Sequence, residues 1–568
     1  MVRVSVVIAT FNRRDLLART LPCVFAQDFP RDEYEVVLVV DGSTDGTTEM
    51  LRTLHPKCPL TIIEQPNRGQ AAAQNAGLRA AEGEVVLFLD DDVLCDPGLV
   101  SEHAKAHAGL EPMVAFGPVE VAPESPRSAA TDWVTHLYRQ YLDHLQAGGN
   151  VSWPADARIE ANRSAPRSLL VEAGGFDEKL PGALFNVDLG IRLWERGARF
   201  HYLPAARARQ IYVKSARHLI QTDARQFGIG EVRLASKHPC YRPYVGVGIS
   251  VGLAPWKAHA VAAAARSRLS TVPMLSVLAT AMHTIPVFRG VSLRMLSLAF
   301  YIQRMRGAVH EAGSWAAVRR EFAMQLPVLT YHHVGKRRAG CNPWLTVSPQ
   351  SFAAHVDWLA RHGFTGIRPR QWVDWVKTGS RLPHKPVLIT FDDAYADIAE
   401  TALPVLQHHG FGGVVFVVSD QVGGTNAWDE KAGWGTHRIM TAEQIRLWAS
   451  RGIEFGSHTR SHPDLQTLSR TEIEDELWQS RRALEEILGA PITSFAYPYG
   501  RYNDTARQAA AAAFESAFTT EPGLNKLGSD LDLLKRMMVL PNDWPVDVGL
   551  RARLGNSPLR RIRPYRGN

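Results

Sequence analysis

Short β-branched runs alternate with helical stretches in two separate series, one toward each end of the chain, and Lys237 to Gln325 between them carries no strand signal. The first series is VSVVIAT, YEVVLVVD, LTIIE and EVVLFLDDD; the second is LPVLTYHHV, KPVLITFDD, GGVVFVVS, GIEFGSH and ITSFAYPYG. Apolar runs of this length, each followed by helical periodicity, predict mostly parallel α/β sheets covered by helices. At 568 residues the chain also exceeds what one hydrophobic core organises. The expected architecture is an α/β unit over 1–236, a helical connector over 237–325, a second, barrel-like α/β unit over 326–555 and a basic tail over 556–568.

An apolar share of 45% with a charged share of 21%, free of low-complexity tracts, excludes a largely disordered chain. The net charge of +7 suits anionic partners such as nucleotide diphosphates or an anionic membrane surface, but is too mild to point to nucleic acid. Cys23, Cys58, Cys95, Cys240 and Cys341 are scattered and odd in number, without the paired spacing of a zinc site or disulfide framework. The opening MVRVSVVIATFNRRD reaches charge too soon for a signal peptide, so a cytoplasmic protein is expected. Between Arg268 and Arg289 lie twenty uncharged residues, but Pro273, Pro286, His283 and several hydroxyls speak against a span. A packed helical hairpin is the expectation there, and a peripheral rest on the inner face of a membrane is the alternative use of the same residues. Gly246, Gly248 and Gly252 have the wrong spacing for a dinucleotide fingerprint.

Parallel strands present ligand-binding groups at their carboxyl ends, and three such ends in the first series carry suitable residues: Thr10 with Asn12, then Asp41, then Asp90, Asp91 and Asp92. A carboxylate at Asp41 can accept from a base or ribose, and the triple Asp can hold Mg²⁺ or Mn²⁺ with a diphosphate completing the shell. Such a cation offsets the charge gained by a departing nucleotide. Three aspartates in a row also commonly cap a helix, so their context decides. The ordered set VSVVIATFN, VVDGSTDGT, NRGQAAAQNAGL and FLDDDV, over roughly the first 235 residues, resembles the family 2 nucleotide-diphospho-sugar glycosyltransferases. The resemblance implies a GT-A type fold and an inverting hexosyl transfer from a nucleotide-diphospho-sugar. Thr10, Asn12, Asp41, Asn67, Arg68 and Gly69 would surround the nucleotide, Asp90 would sit near the ribose and metal, and Asp92 would be the direct metal ligand.

Further along, GGFDEKLPGALFNVDLGIRLWERGARF resembles the acceptor-side segment of that family, whose Glu-Asp pair supplies the catalytic base. Here the matching pair is Phe185 and Asn186. An amide is not a base near neutral pH, which leaves Asp188 as the carboxylate expected to act there.

The second series supplies TFDD at Thr390 to Asp393 and SHTRSHP with His458 and His462. One Asp and two His four residues apart can converge on one ion and leave a position for water, the pattern of an open Zn²⁺ site. TYHHV, TFDDAYAD, SHTRSHP and FAYPYGRYND, over roughly Leu326 to Leu550, resemble the NodB-homology polysaccharide deacetylases and imply their distorted (β/α) barrel. By that resemblance Asp392 is the general base, Asp393, His458 and His462 bind zinc or another divalent transition metal, and Tyr499 lies at the oxyanion. The family's motif arginine is replaced by Ala496 and its late Leu-x-His segment is missing. The chain is similar to the subgroup in which an early Tyr-His takes that place, making His332 the general acid, with His333 second. By position and charge, Arg536 in LLKRMMVL is the residue expected to replace the motif arginine and orient Asp392.

The sequence thus points to two carbohydrate chemistries: transfer to a glycan or lipid-linked acceptor, and metal-dependent hydrolysis of the N-acetyl amide of a hexosamine unit. The competing expectation is a deacetylase alone, with the first domain a non-catalytic module that binds a sugar nucleotide or glycan. That alternative rests on Asn186, and a transfer assay separates the two.

Overall fold

The structure is a computed structural model describing residues 3–109, 112–146, 161–247, 271–336, 342, 344–432 and 435–557. Cys341, Gly248, Gly252, residues 248–270 of the expected connector and residues 558–568 of the basic tail lie outside the described residues. The chain divides into two compact units, Met1–Val318 and Arg319–Asn568.

In the first unit β1 (Val4–Thr10), β2 (Tyr34–Asp41), β3 (Leu60–Gln65) and β4 (Val85–Asp90) pair in parallel in the order β3-β2-β1-β4. β1 and β2 are buried along nearly their whole length, as continuous Val/Ile/Leu runs require in a sheet covered on both faces. β5 (Val93–Cys95), β6 (Met113–Phe116), β7 (Val119–Val121), β8 (Asn162–Pro166), β9 (Arg199–Tyr202) and β10 (Ala208–Gln210) follow. β8, β6 and β9 extend the large sheet, with β8 antiparallel to both neighbours; β5, β10 and β7 form a small separate sheet. Because β1, β2 and β4 run the same way, their carboxyl ends bring Thr10, Asp41 and Asp90 to one edge.

The helices Thr271–His283 and Arg289–Ala312 pack against each other, and the second also lies on the helices Ala224–Lys237 and Ala129–Gln146. Val272, Ala279, Leu296 and Phe300 share one apolar cluster with Trp133 and Ile220. These helices therefore lie within the body of the first unit.

The second unit is built on a parallel ladder of β11 (Gln325–Tyr331), followed in the chain by β12 (His333–Val334), β13 (Thr346–Val347) and β14 (Thr365–Gly366), then β15 (Pro386–Phe391), β16 (Val414–Val417), β17 (Glu454–Ser457), β18 (Ser494–Ala496) and β19 (Ser516–Phe518). Pairing runs β11-β15-β16-β17-β18-β19, all parallel. β20 (Leu524–Lys526) adds antiparallel to β11, and β21 (Met537–Met538) pairs with β11 in parallel. The segment leading into β21 also bridges the far end of the ladder, where Leu534 pairs with Phe518. Residues 534–538 thus span from β19 back to β11, which gives the distorted barrel its closure. Two apolar clusters fill the layers, one around Phe352, Ile389, Phe391 and Phe495, the other around Val328, Trp372, Phe416 and Phe518.

Candidate active sites

In the second unit the expected residues come from just beyond strand ends or from the closing segment, and His462 from the turn that follows His458. His332 comes after β11, Asp392 and Asp393 after β15, His458 after β17 and Tyr499 three residues beyond β18. The carboxyl ends of parallel barrel strands are where side chains from distant segments converge on one open face.

Asp392 is 3% exposed and Arg536 1%. The guanidinium forks onto the carboxylate, Nη1 to Oδ1 at 2.6 Å and Nη2 to Oδ2 at 2.9 Å, while its Nε donates to the Thr519 carbonyl at 2.8 Å. Burial by itself would raise the Asp392 carboxyl, but Arg536, with His458 and His332 nearby, holds it down at about 2. Arg536 sits on residues 534–538, so the same segment that closes the barrel delivers the cation to its interior. His332 Nε2 lies 3.9 Å from Asp392 Oδ2, and burial pulls this imidazole down to about 4.

Beside this pair, Asp393 Oδ1 is 3.6 Å from His458 Nε2 and 3.5 Å from His462 Nε2. The three side chains are buried, and their ligand atoms all lie within 4.8 Å of one another, the one cluster of this kind among the described residues. Asp393 Oδ1 is buried and has no hydrogen-bond partner, an arrangement that costs about 1–3 kcal/mol unless something else satisfies it. His458 Nδ1 donates to the Ala496 carbonyl at 2.7 Å, which turns the lone pair of Nε2 toward Asp393. His462 Nδ1 meets the Tyr499 hydroxyl at 3.2 Å, leaving its Nε2 on the same point. Burial, with Asp392 and Asp429 close by, raises the Asp393 carboxyl well above the usual carboxylate range, and burial lowers both imidazoles. All three groups are short of positive charge, and their donor set, one carboxylate oxygen and two imidazole nitrogens, fits a divalent transition metal.

The backbone here is held in unusual conformations. Asp393, Ala394, Thr459, His462 and Tyr499 all have positive φ, between 53° and 69°, although none is glycine. Each costs on the order of 1–3 kcal/mol and persists only where surrounding contacts over-determine it. Glu476, on the helix Arg470–Leu488, is one such contact. Its Oε2 accepts from the Arg460 and Ser461 amides at 2.9 Å each and its Oε1 from the Ser461 hydroxyl at 2.7 Å, clamping the turn between the two histidines. Sequence reasoning passed over Glu476, as it did Trp428, which stacks on His462 at 4.9 Å between ring centres, and Asp429, which accepts from the Tyr395 hydroxyl at 3.0 Å. A buried acid on the helix after the His pair was the one signal that could have been found. His333 turns to the other side, stacked on Tyr395 with Nδ1 3.0 Å from Asp397.

In the first unit the loop after β3 is fastened to Asp41. One carboxylate oxygen accepts from Gln65 Nε2 at 2.7 Å and the Arg68 amide at 2.9 Å, and the other accepts from the Gly69 amide at 2.8 Å. Gly42 has φ +78°, and a Cβ there would lie 2.6 Å from the Asn67 nitrogen, so glycine is required for this close approach. The Arg68 guanidinium reaches Glu178 at 3.0 Å. Asn12, at φ +51°, accepts from the Thr44 amide at 2.7 Å.

The triple Asp is held by partners that its own segment does not reveal. The Thr10 hydroxyl donates to Asp91 at 2.8 Å, Arg13 Nη1 bridges Asp91 at 2.9 Å and Asp92 at 2.8 Å, and Gln210 Nε2 donates to Asp92 at 3.0 Å. Asp91 and Asp92 are buried, whereas the half-buried Asp90 accepts from Gln70 Nε2 at 3.2 Å. Burial carries the Asp91 carboxyl up to about 6 against the pull of Arg13.

On the helix Leu184–Glu195, Asn186 is buried and lines a small pocket with Phe88, Arg163, Ser164 and Leu193; its Oδ1 has no hydrogen-bond partner. Asp188 is 0% exposed and surrounded by nitrogen groups: the cations Lys237 (Nζ at 2.7 Å) and Arg192 (Nη2 at 2.7 Å), and the His238 imidazole (Nε2 at 2.9 Å). Burial would raise its carboxyl, but His238, Lys237 and Arg192 hold it at about 2. With each oxygen engaged by two donor nitrogens of these groups and no exposed surface, these surroundings differ from those expected of a base, which must reach its substrate with an open lone pair. Asp188→Asn is expected to destabilise the first unit by about 1–3 kcal/mol at neutral pH, because it removes the charged acceptor of Arg192 and Lys237, the latter 37% exposed and able to turn to water. A carboxyl depressed in the fold stabilises above its ordinary value and loses that contribution as pH falls, so the deficit should shrink toward pH about 2. Thermal unfolding of both proteins across that range, followed by a first-unit probe, measures it; equal melting at pH 7 contradicts it.

Comparison with known proteins agrees with this division of chemistry. Residues 5–165 match the glycosyl transferase family 2, and residues 379–514 match the polysaccharide deacetylase family. The putative polysaccharide deacetylase YxkH of Bacillus subtilis (strain 168) is 28% identical over 232 residues, which are 41% of this chain and 76% of that protein. Validoxylamine A glucosyltransferase of Streptomyces hygroscopicus subsp. jinggangensis (strain 5008) is 28% identical over 267 residues, 42% of this chain and 62% of that protein, so this chain spans under two thirds of the transferase's length. Among solved structures, the Streptococcus pyogenes deacetylase PplD in complex with acetate is 26% identical, with a TM-score of 0.35, covering 39% of this chain and 96% of its own. The chain joins an amino-terminal glycosyl transferase family 2 domain to a carboxy-terminal polysaccharide deacetylase domain.

Proposed function

We propose that this protein is a bifunctional carbohydrate enzyme: its first domain transfers a sugar from a nucleotide-diphospho-sugar to a glycan or lipid-linked acceptor, and its second hydrolyses the acetamide of an N-acetylhexosamine unit. The observation that carries the reading is the buried Asp393, His458 and His462 cluster beside a carboxylate held ionised by Arg536. Zinc or another divalent transition metal, when bound there, supplies Lewis acidity toward the amide carbonyl and makes water acidic enough to attack near neutral pH.

Asp392 takes the proton of the attacking water. Arg536 keeps that carboxylate charged and oriented, so it accepts a proton at a fixed point. His332 starts neutral because burial holds it near 4, and from 3.9 Å it can receive that proton by way of Asp392 and pass it to the leaving amine nitrogen. Tyr499, beyond the FAYP turn with its hydroxyl on His462, would turn its backbone amide toward the oxyanion. The acetyl group leaves as acetate and the sugar keeps its amine.

In the first domain Thr10, Asn12, Asp41, Asn67, Arg68 and Gly69 would frame the nucleotide, and Asp90 and Asp92 would meet Mg²⁺ or Mn²⁺ with the diphosphate. Asp41 already spends three acceptor contacts on the Gln65–Gly69 loop, so its larger part is to shape the pocket. A second reading, a first domain that binds sugar nucleotides or glycans without transferring, draws support from the buried Asn186 and the ion-paired Asp188, neither of which is placed to take a proton.

Incubation with a panel of nucleotide sugars and with oligosaccharide or lipid-linked N-acetylhexosamine acceptors, read by mass spectrometry, distinguishes the readings because sugar addition and acetyl loss change mass separately. Asp92→Ala is expected to remove transfer and leave acetyl release unchanged. Acetyl release without transfer for any donor would favour the binding module, and loss of both activities in a folded Asp92→Ala protein would overturn the separation of the sites.

A further inference from the structure

The outward faces of the hairpin formed by the helices Thr271–His283 and Arg289–Ala312 are apolar where a helix of a water-facing surface is ordinarily polar. Its inward faces are already satisfied: Val272, Ala279, Leu296 and Phe300 are buried in their cluster, and the Ser292 hydroxyl donates to the Ala279 carbonyl at 2.7 Å, pinning one helix to the other. Yet on the first helix Met274 is 64% exposed and Val277 69%, with Leu278 beside them at the i, i+3, i+4 spacing of one stripe. The turn continues the pattern. Ile285, Val287 and Phe288 are exposed, Val287 at 79%, and Val291 follows on the first turn of the second helix. Scattered single apolar residues on a surface need no explanation, but a run through one stripe, the turn and the next helix marks a contact surface.

Charge identifies the kind of contact. Arg289 and Arg294 are exposed next to the turn, and from Glu231 to Glu311 the sequence contains no acidic residue at all. Asp132, contributed by the neighbouring helix, lies 3.2 Å from His283. Apolar side chains at the tip with cations just behind them match a lipid surface, with the side chains in the acyl boundary and the guanidinium groups at anionic headgroups. No helix among the described residues is long and apolar enough to cross a membrane, so a lipid contact here would be a surface one.

We propose that this hairpin tip, Met274, Val277 and Leu278 with Ile285, Val287, Phe288 and Arg289, docks the protein on an anionic membrane. The proposal stands independently of whether the first domain transfers sugar. The full chain is sedimented with vesicles of phosphatidylglycerol and phosphatidylethanolamine, and in parallel with phosphatidylcholine vesicles. Binding is expected on the anionic vesicles, weakening as salt is raised, and about fivefold weaker for each of Arg289→Gln and Arg294→Gln. Val287→Asp with Phe288→Asp should lower binding to the phosphatidylcholine level, and the milder Val287→Ser with Phe288→Ser should lower it in part, both with unchanged acetyl release on a soluble substrate. Absence of wild-type binding to anionic vesicles overturns the proposal, as does binding indifferent to the tip variants. So does a wild-type dimer that the same variants convert to monomer without any vesicle binding, since the tip would then cover a second copy.

Discussion

Stripping divalent metal from the protein is expected to cut acetyl release by about 10³-fold or more, since Lewis-acid stabilisation of this kind is worth several kcal/mol and each 1.4 kcal/mol is tenfold in rate. The ligand cluster supports this expectation in a particular way. Asp393 Oδ1 is buried without a partner, and the two imidazoles facing it have their other nitrogens committed to the Ala496 carbonyl and the Tyr499 hydroxyl. A metal-free site therefore leaves Asp393 Oδ1 unsatisfied beside two imidazole nitrogens, and re-addition of zinc should restore activity and also raise the melting temperature of the second unit, because binding to the folded form alone stabilises it. His462→Ala should keep the fold, lose the metal by elemental analysis and gain neither activity nor stability from added zinc. Acetyl release that persists in protein shown by elemental analysis to be metal-free would refute the assignment.

The second large effect is at Asp392. Asp392→Asn is expected to lower the rate by about 10²- to 10⁴-fold while leaving metal content unchanged, because the amide cannot take a proton and the three ligands are untouched. The substitution has a second consequence that must be separated from the first. It leaves the Arg536 guanidinium, 1% exposed, without its counter-charge, and breaking one half of a buried pair costs about 3–5 kcal/mol. The double variant Asp392→Asn with Arg536→Met removes the stranded cation, so it should recover much of the stability and none of the activity. If instead activity returns with stability, Asp392 acts through the fold and another group is the base.

What was legible in the sequence is what local pattern controls. Strand runs end at the residues that carry chemistry, so Thr10, Asp41 and Asp90 in the first unit and His332, Asp392 and His458 in the second could each be assigned to a strand end. The spacing of His458 and His462 pointed to one ion, and the structure brings both nitrogens to within 3.6 Å of Asp393. Residue identity was equally plain at Asn186, but its direction was not. Which surroundings that side chain meets depends on how the helix Leu184–Glu195 lies on the sheet, a matter of packing with Phe88, Arg163 and Ser164.

The sequence by itself determined two α/β units, the order of their elements and the set of polar residues at the strand ends, because propensity and periodicity act over a few neighbouring residues. Tertiary structure alone decided which of those residues have partners. Arg536 reaches Asp392 across 144 positions because the barrel closes on residues 534–538; Gln210 reaches Asp92 across 118. Asp188 read as the carboxylate left to act as the base, and it is a buried hub because Lys237 and His238, at the end of another helix, arrive some fifty residues later. The helical stretch between the two series lies with the first unit for the same reason: its own residues specify helices, but only the long-range burial of Leu296 and Phe300 against Trp133 and Ile220 specifies what they cover.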